Sequence, residues 1–215
     1  KVAKSEYAVG PGDPMTTQAG GWVDSLPEPA WMLAQQAARL MAVRDPALVA
    51  VEELVVRQET CYYSMELLEG TTLSDLRPVP VSVLARVARA MERLLRHPAF
   101  PYHGDLKPSN ILVTPTGAVR LLDPGFFGTD RWMTTPAYYP ELKPDDLKAF
   151  ALLLWELATG SHPLRGRAPA PLGPLPRPST DPAVADLLEG ALAGMSWAEL
   201  ALALEDLGQR GVPCL

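Results

Sequence analysis

Residues 103–125 read HGDLKPSNILVTPTGAVRLLDPG, and the rest of the chain is organised around them. Asp105 is a carboxylate that can accept the proton of a hydroxyl nucleophile, and Lys107, two residues later, can neutralise a phosphate. Asn110 and Asp123 provide hard oxygen atoms of the kind that Mg²⁺ prefers. The stretch therefore contains, at short spacings, the groups that phosphoryl transfer requires.

A predicted β-hairpin brings the two oxygen ligands together. The β-prone runs 111–113 and 119–122 are separated by the turn-forming sequence TPTG, a pattern that is typical of two antiparallel strands. Asn110 precedes the first strand and Asp123 follows the second. Because the two ends of a hairpin lie side by side, we expect both residues at the same end of the pair.

Six positions of the stretch resemble the catalytic loop and the metal-binding segment of eukaryotic-type protein kinases, whose motifs are His-Arg-Asp-x-x-x-x-Asn and Asp-Phe-Gly. With average residue usage, six fixed positions match by accident with a probability on the order of 10⁻⁸ per starting point. The resemblance is to the bacterial Ser/Thr kinases of this type. It implies an α+β, bilobal protein-kinase-like fold, with a small β-rich N-lobe that carries one helix and a larger, mainly helical C-lobe. The matching residues are His103, Asp105, Lys107, Asn110, Asp123 and Gly125.

The resemblance also implies a role for each residue. Asp105 would be the catalytic base, and Lys107 would lie near the transferred phosphate, which suits a Ser or Thr hydroxyl as acceptor. Asn110 and Asp123 would bind magnesium and, through it, ATP. Asp146, near the start of a long apolar helix, would brace the catalytic loop by accepting hydrogen bonds from its backbone.

Two further segments resemble nucleotide-binding parts of the family. The sequence YSMELLEG at 63–70 is similar to the connector between kinase lobes, which implies that Glu66 and Leu68 offer main-chain atoms to adenine and that Met65 fills the back of the pocket. The opening KVAK resembles the Val-Ala-x-Lys motif with one residue absent. Lys4 is thus the candidate for the lysine that holds the α- and β-phosphates. The alternative is a solvated lysine near a chain terminus.

The chain also departs from the family pattern at several places. No Gly-x-Gly-x-x-Gly loop is present, and Gln36 stands where a glutamate should pair with the phosphate-holding lysine. Gly104 replaces the arginine that would grip a phosphorylated activation segment, and Pro124 replaces the phenylalanine of Asp-Phe-Gly. The TTPAYYPE sequence that ends the activation segment places Thr135 towards the catalytic loop. No arginine is apparent that would tether its last residue, Glu141.

The sequence predicts one kinase-like domain made of two parts. Residues 1–68 would form an abbreviated N-lobe, in which 1–29 are assigned to no element, and residues 69–215 would form the C-lobe. Periodic apolar positions predict helices from 30 to 45, after the break at 77–80, from 145 to 160 including its cap and its closing glycine, and twice more between 183 and 207. A second hairpin is predicted from the runs 49–57 and 60–68.

Composition excludes several other classes. The chain has 215 residues, a net charge of −6 and 47% hydrophobic residues, which is typical of a globular protein and does not favour nucleic-acid binding. The apolar run at 150–155 falls far short of the roughly 18 residues that span a bilayer, and no signal-peptide pattern opens the chain. We therefore expect a cytoplasmic protein without a membrane segment. Its two cysteines form no disulfide framework.

Three functions remain open at this stage. The first is a Ser/Thr kinase, a transferase that uses ATP and Mg²⁺ to phosphorylate a protein substrate. The second is a pseudokinase that binds nucleotide or a signalling partner without turnover, which the absent glycine loop, Gln36 and Pro124 favour. The third is a small-molecule phosphotransferase, because His-Gly-Asp also occurs in related enzymes of that kind, although Lys107 and the Pro-Glu ending argue against it. The oligomeric state cannot be read from the sequence.

Overall fold

The structure is a computed structural model that divides into two compact units, residues 1–68 and residues 69–215. Lys4, the candidate phosphate-holding lysine, lies outside the described residues. No helix within the described ranges is long and apolar enough to cross a membrane. The structure describes residues 8–9, 28–57, 60–127, 132–164, 172–173, 175, 177–178 and 180–215.

The first unit combines an antiparallel sheet, in the order β1-β2-β3, with one helix. Its elements are β1 (Ala8–Val9), α1 (Glu28–Ala42), β2 (Val51–Arg57) and β3 (Thr60–Met65). Strands β2 and β3 pair in antiparallel register, as the alternating β-prone runs predicted. Helix α1 packs on this hairpin through Ala34, which is fully buried against Trp31 of its own helix and against Val56 and Cys61 of the strands.

The second unit is mainly helical, with short antiparallel strand pairs that carry the candidate site. Its strands are β4 (Thr71–Thr72), β5 (Ile111–Val113), β6 (Val119–Leu121), β7 (Phe126–Phe127) and β8 (Trp132–Met133). Its helices are α2 (Val81–Leu94), α3 (Asp146–Thr159), α4 (Pro182–Leu192) and α5 (Trp197–Gln209), with a 3₁₀ turn at Pro108–Asn110. The predicted hairpin is present, because β5 and β6 pair from Ile111 with Leu121 to Val113 with Val119.

Helix α2 packs along α5 and presents the apolar stripe that its sequence predicted. The described side chains of this stripe that are fully or almost fully buried are Leu84, Val87, Ala88, Met91 and Leu94. On the wetter side, the Arg89 guanidinium donates two hydrogen bonds of 3.2 Å to the Glu205 carboxylate of α5.

Helix α3 runs through the core of the second unit. Residues 149–154 are all fully buried, which explains why its sequence is apolar on most faces rather than on one stripe. The helix begins where the Asp145 side chain accepts a hydrogen bond from the Lys148 N–H at 3.0 Å, and ends at Gly160, whose φ of +75° is readily adopted by glycine. Its first turn faces the candidate site.

Candidate active site

The loop that contains Asp105 is fixed to the first turn of α3. The buried Asp146 carboxylate accepts hydrogen bonds from the backbone N–H groups of His103 at 2.6 Å and Gly104 at 2.8 Å. The Tyr139 hydroxyl donates to the same carboxylate at 2.6 Å and accepts from the Leu106 N–H at 2.8 Å. This is the bracing that the sequence predicted for Asp146, with Tyr139 as an additional member.

Tyr139 remains a donor because its hydroxyl does not ionise in this setting. Burial, together with the charge of Asp146 and the hydrogen bond to it, raises the pKa of Tyr139 well above its ordinary value. A protonated hydroxyl satisfies one lone pair of the buried carboxylate, which would otherwise be costly to leave unpaired. The loop and the segment that carries Tyr139 are consequently held by a single carboxylate.

The Asp105 side chain is buried and accepts hydrogen bonds from three sides. Its Oδ2 atom accepts from the Lys107 ammonium at 2.7 Å and from the Asn110 amide at 2.9 Å. Its Oδ1 atom accepts from the backbone N–H of Thr135 at 2.7 Å. Lys107 also donates to the Thr135 hydroxyl at 2.7 Å, so Thr135 faces the loop that carries Asp105, as predicted. The carboxylate is thereby held in one orientation, with a cation beside it.

Asn110 and the backbone of Asp123 lie at the same end of the β5–β6 hairpin, as the sequence predicted. One end of the Asn110 amide is within 2.9 Å of the Asp105 backbone oxygen and 3.4 Å of the Asp123 backbone oxygen, and it also donates to the Asp105 carboxylate. Three oxygen acceptors identify that end as the NH₂ group. The opposite end of the amide is therefore Oδ1, and the Ser109 hydroxyl lies 3.5 Å from it.

Asp123 is exposed and has an unusual backbone conformation. Its φ is +46°, a left-handed value that costs energy for a residue with a side chain, and a following proline such as Pro124 normally favours extended backbone. The conformation is secured on its far side, because the Gly125 N–H donates to the His103 carbonyl at 2.8 Å. A Cβ atom on Gly125 would lie 2.2 Å from the Gly104 oxygen, so only glycine permits this approach.

The oxygen atoms at this end suit a magnesium ion that is shared with phosphates. Within the described part of the chain, no group of three or more His, Cys, Asp or Glu side chains could hold a metal. Magnesium commonly takes one or two protein oxygens and completes its octahedral shell with substrate phosphates and water. The Asn110 amide oxygen and the Asp123 carboxylate match that limited protein contribution.

In the first unit, Gln36 is satisfied by a neighbour on the sheet. Its side chain is buried, and its Oε1 atom accepts a hydrogen bond from the Tyr63 hydroxyl at 3.0 Å. An amide has no charge with which to attract a lysine ammonium. The position that would carry a glutamate in the family thus participates here in a neutral hydrogen bond.

The connector residues have well-defined backbone contacts. The Glu66 N–H donates to the Ala50 carbonyl at 3.0 Å, and the Glu66 carboxylate accepts from the Ala50 N–H at 2.7 Å. The Glu66 N–H is therefore engaged, so that a main-chain donor for adenine would come from Leu68. Met65 is 44% exposed and Leu67 is 95% exposed, and single exposed apolar side chains of this kind are common on protein surfaces.

An ion pair that no sequence pattern predicted fixes the end of the TTPAYYPE segment. The Lys148 ammonium lies 2.8 Å from Glu141 Oε1 and 3.5 Å from Asp145 Oδ2. The hydrogen bond to Lys148 lowers the pKa of Glu141, and the same bond raises the pKa of Lys148. The family pattern implies an arginine late in the chain as the partner of Glu141, whereas the partner is a lysine only seven residues away. A cation in the first turn of a helix interacts unfavourably with the helix dipole. The presence of Lys148 at such a position was the sequence signal that it has an acidic partner.

Comparison with known proteins identifies relatives of the chain. No protein-family model matches it. It is 29% identical over 160 residues to the "Probable serine/threonine-protein kinase" of Clostridium perfringens, and 31% identical over 154 residues to the serine/threonine-protein kinase PknL of Mycobacterium tuberculosis. It is also 25% identical over 157 residues to mitogen-activated protein kinase kinase 1 of Arabidopsis thaliana.

These alignments cover 63%, 61% and 61% of this chain, in the same order, and 23%, 39% and 44% of the relatives. The chain thus spans less than half the length of the curated relatives it matches. The helices and short antiparallel sheets of the two units are consistent with relatives of this kind. The chain is a homologue of the Ser/Thr protein kinases and has a protein-kinase-like α+β fold.

Proposed function

We propose that the chain is a protein kinase domain that transfers the γ-phosphate of MgATP to a Ser or Thr hydroxyl of a protein substrate. The observation that carries this proposal is the arrangement around Asp105. Its carboxylate is buried, accepts from Lys107, Asn110 and Thr135, and is held at distances of 2.7 to 2.9 Å. A carboxylate that only stabilised a loop would not need the Lys107 ammonium beside it. Here that ammonium also contacts Thr135 of the TTPAYYPE segment.

Each side chain has a defined task in the proposed reaction. Asp105 orients the substrate hydroxyl and accepts its proton as the oxygen attacks the phosphate. Lys107 places a positive charge beside the carboxylate and next to the position of the transferred group, where it stabilises the negative charge of the transition state. Thr135 keeps both groups in place through its N–H and its hydroxyl.

We propose that Asn110 Oδ1 and the Asp123 carboxylate bind Mg²⁺, which when bound neutralises the phosphate oxygens. The left-handed backbone of Asp123 supports this role, because strained backbone is commonly retained where it positions a functional group. Glu66 and Leu68, with Met65, are the proposed adenine contacts, and Lys4 is the proposed phosphate contact. Because the reaction consumes ATP, we place it in the cytoplasm.

A second candidate function is a pseudokinase that binds nucleotide or a protein partner without turnover. The observation in its favour is Gln36, which is hydrogen bonded to Tyr63 at the position where the family has a charged partner for the phosphate-holding lysine. Without that charge the lysine is less well oriented. Because electrostatic stabilisation of the phosphoryl group is the main source of catalysis in this family, the rate would fall by several orders of magnitude.

One paired experiment distinguishes these functions. Thermal stability is measured with and without MgATP, and phosphate transfer from labelled ATP to casein is measured in parallel. We expect MgATP to stabilise the wild-type chain and Asp105→Asn alike, whereas transfer by Asp105→Asn should fall by roughly 10²- to 10⁴-fold. Asp123→Ala should lose both the stabilisation and the transfer.

The matched control is Asp181→Asn. Asp181 is an exposed aspartate that caps α4, and asparagine caps a helix equally well. Stabilisation by MgATP without Asp105-dependent transfer would select the pseudokinase. If MgATP does not stabilise the chain and no phosphate is transferred, both nucleotide-based functions are rejected. A module that acts only by binding a protein partner would then remain.

A further inference from the structure

The first turn of α3 holds two different parts of the candidate site. Asp146 accepts hydrogen bonds from the catalytic loop at His103 and Gly104. Two residues later, Lys148 forms its ion pair with Glu141, the last residue of the TTPAYYPE segment. The loop that carries Asp105 and the segment that carries Thr135 are therefore anchored within one helical turn.

The Lys148–Glu141 contact has the geometry of a specific pair. Its two side chains are 26% and 28% exposed, and the N–O distance is 2.8 Å. Lys143, the other cation near Glu141, is 3.9 Å away and 74% exposed. Exposed pairs of that second kind contribute little. A cavity of about 420 Å³, lined by both Glu141 and Lys148, lies beside the pair, so a substitution at Lys148 does not have to displace packed core side chains.

The position of Lys148 in the helix argues that the pair serves another purpose than helix stability. It is the third residue of α3, where the positive end of the helix dipole disfavours a cation. The carboxylates of Glu141 and Asp145 offset this unfavourable charge. An alanine or a glutamate would suit the helix better, and the lysine is consequently explained by what it holds.

The backbone next to Glu141 is strained. Leu142 has a φ of +52°, which is rare for a residue with a bulky side chain, and its N–H donates to the Tyr139 carbonyl at 2.9 Å. Such a conformation persists only where surrounding contacts hold it. Contacts on both sides of this turn include the hydrogen bond of Tyr139 to Asp146 and the ion pair of Glu141 with Lys148.

We propose that Lys148 is a positioning residue that, through Glu141, keeps the strained turn at 139–142 closed and thereby holds Thr135 against Asp105. The kinetic part of this inference rests on the proposed kinase function, while the structural part does not. Thr135 supplies the N–H that fixes Asp105 Oδ1 and the hydroxyl that fixes Lys107. Loosening the turn would therefore misorient the base and its neighbouring cation together, without a direct change to either.

The test compares Lys148→Met, Lys148→Arg and Glu141→Gln with Arg89→Met. The last variant is the matched control, because Arg89 forms an ion pair with Glu205 between α2 and α5 and is 40% exposed. The two readouts are the kinetics of phosphate transfer and hydrogen exchange of the backbone in residues 134–142. We expect Lys148→Met and Glu141→Gln to exchange faster there and to lower kcat by roughly 10- to 100-fold with little change in KM for ATP. Lys148→Arg keeps the cation and should retain the wild-type exchange rate and kcat. Arg89→Met should change neither quantity.

Two results would overturn the inference. The first is a rate of hydrogen exchange in residues 134–142 that is the same in Lys148→Met as in the wild type or in Arg89→Met. The other is faster exchange with an unchanged kcat. If the wild-type chain transfers no phosphate, the proposed function fails, but the exchange comparison still decides whether Lys148 holds the turn.

Discussion

Replacement of Asp146 by alanine tests how strongly the first turn of α3 holds the catalytic loop. The substitution removes the acceptor of two backbone N–H groups and of the Tyr139 hydroxyl, all at 2.6 to 2.8 Å. Each buried donor that is left unsatisfied costs about 1–3 kcal/mol. The two N–H groups of His103 and Gly104 alone lead us to expect a loss of about 4 kcal/mol in the free energy of unfolding.

The adjacent residue provides a matched control. Asp145 is also an aspartate, but its exposed side chain accepts one hydrogen bond as the cap of α3, and loss of a cap costs about 1 kcal/mol. Urea denaturation can be followed by intrinsic tryptophan fluorescence, to which Trp155, buried in α3, contributes. Asp146→Asn keeps the size of the side chain but changes its hydrogen bonding. It would therefore separate the loss of unfolding free energy caused by lost hydrogen bonds from the loss caused by an empty volume. A loss below about 2 kcal/mol for Asp146→Ala, or one no larger than that of Asp145→Ala, would refute this reasoning.

Two further predictions concern other parts of the site. Gly125→Ala should lower the free energy of unfolding by about 3 kcal/mol and abolish phosphate transfer, because the added methyl group would meet the Gly104 oxygen. In the control Gly160→Ala the methyl group meets open space, so this variant should lose about 1–2 kcal/mol and still transfer phosphate. Equal effects of the two substitutions would contradict this prediction. The second prediction concerns pH. The folded pKa of Glu141 is lowered from its ordinary 4.5, so its pairing with Lys148 stabilises the protein above that pH and is lost as pH falls through the lowered value. The folded pKa of Lys148 is raised from 10.5, so the same pairing is lost as pH rises through that higher value. The difference in Tm between the wild type and Lys148→Met should therefore be constant at intermediate pH and vanish towards both extremes, and a difference that does not vary with pH would contradict the pairing.

The local elements of the fold could be predicted because their signals are local. The β5–β6 hairpin follows from two β-prone runs around a turn, and α3 follows from an aspartate cap at its start and a glycine at its end. In both cases the residues that decide the structure lie within a few positions of one another. The structure therefore agrees with the sequence to within about two residues at these ends, which is the usual uncertainty of helix and strand boundaries.

The site was predictable only as far as its motif extends. Residue type and spacing point to Asp105, Lys107, Asn110 and Asp123. The hydrogen bonds of Tyr139 and the ion pair of Lys148 join positions that no periodic pattern connects, and Tyr139 meets Leu106 from 33 residues away. A tyrosine in a turn and a lysine on a helix are ordinary residues in a sequence, and their roles depend on the buried carboxylates they meet.

The left-handed conformation of Asp123 restricts which amino acids can occupy that position. Aspartate and asparagine tolerate positive φ better than other residues with side chains, and glycine tolerates it best. Of these three, only aspartate carries a charge. Glutamate would preserve the carboxylate but would tolerate positive φ less well than aspartate. The backbone conformation therefore favours aspartate over glutamate at this position, independently of the chemistry of the carboxylate.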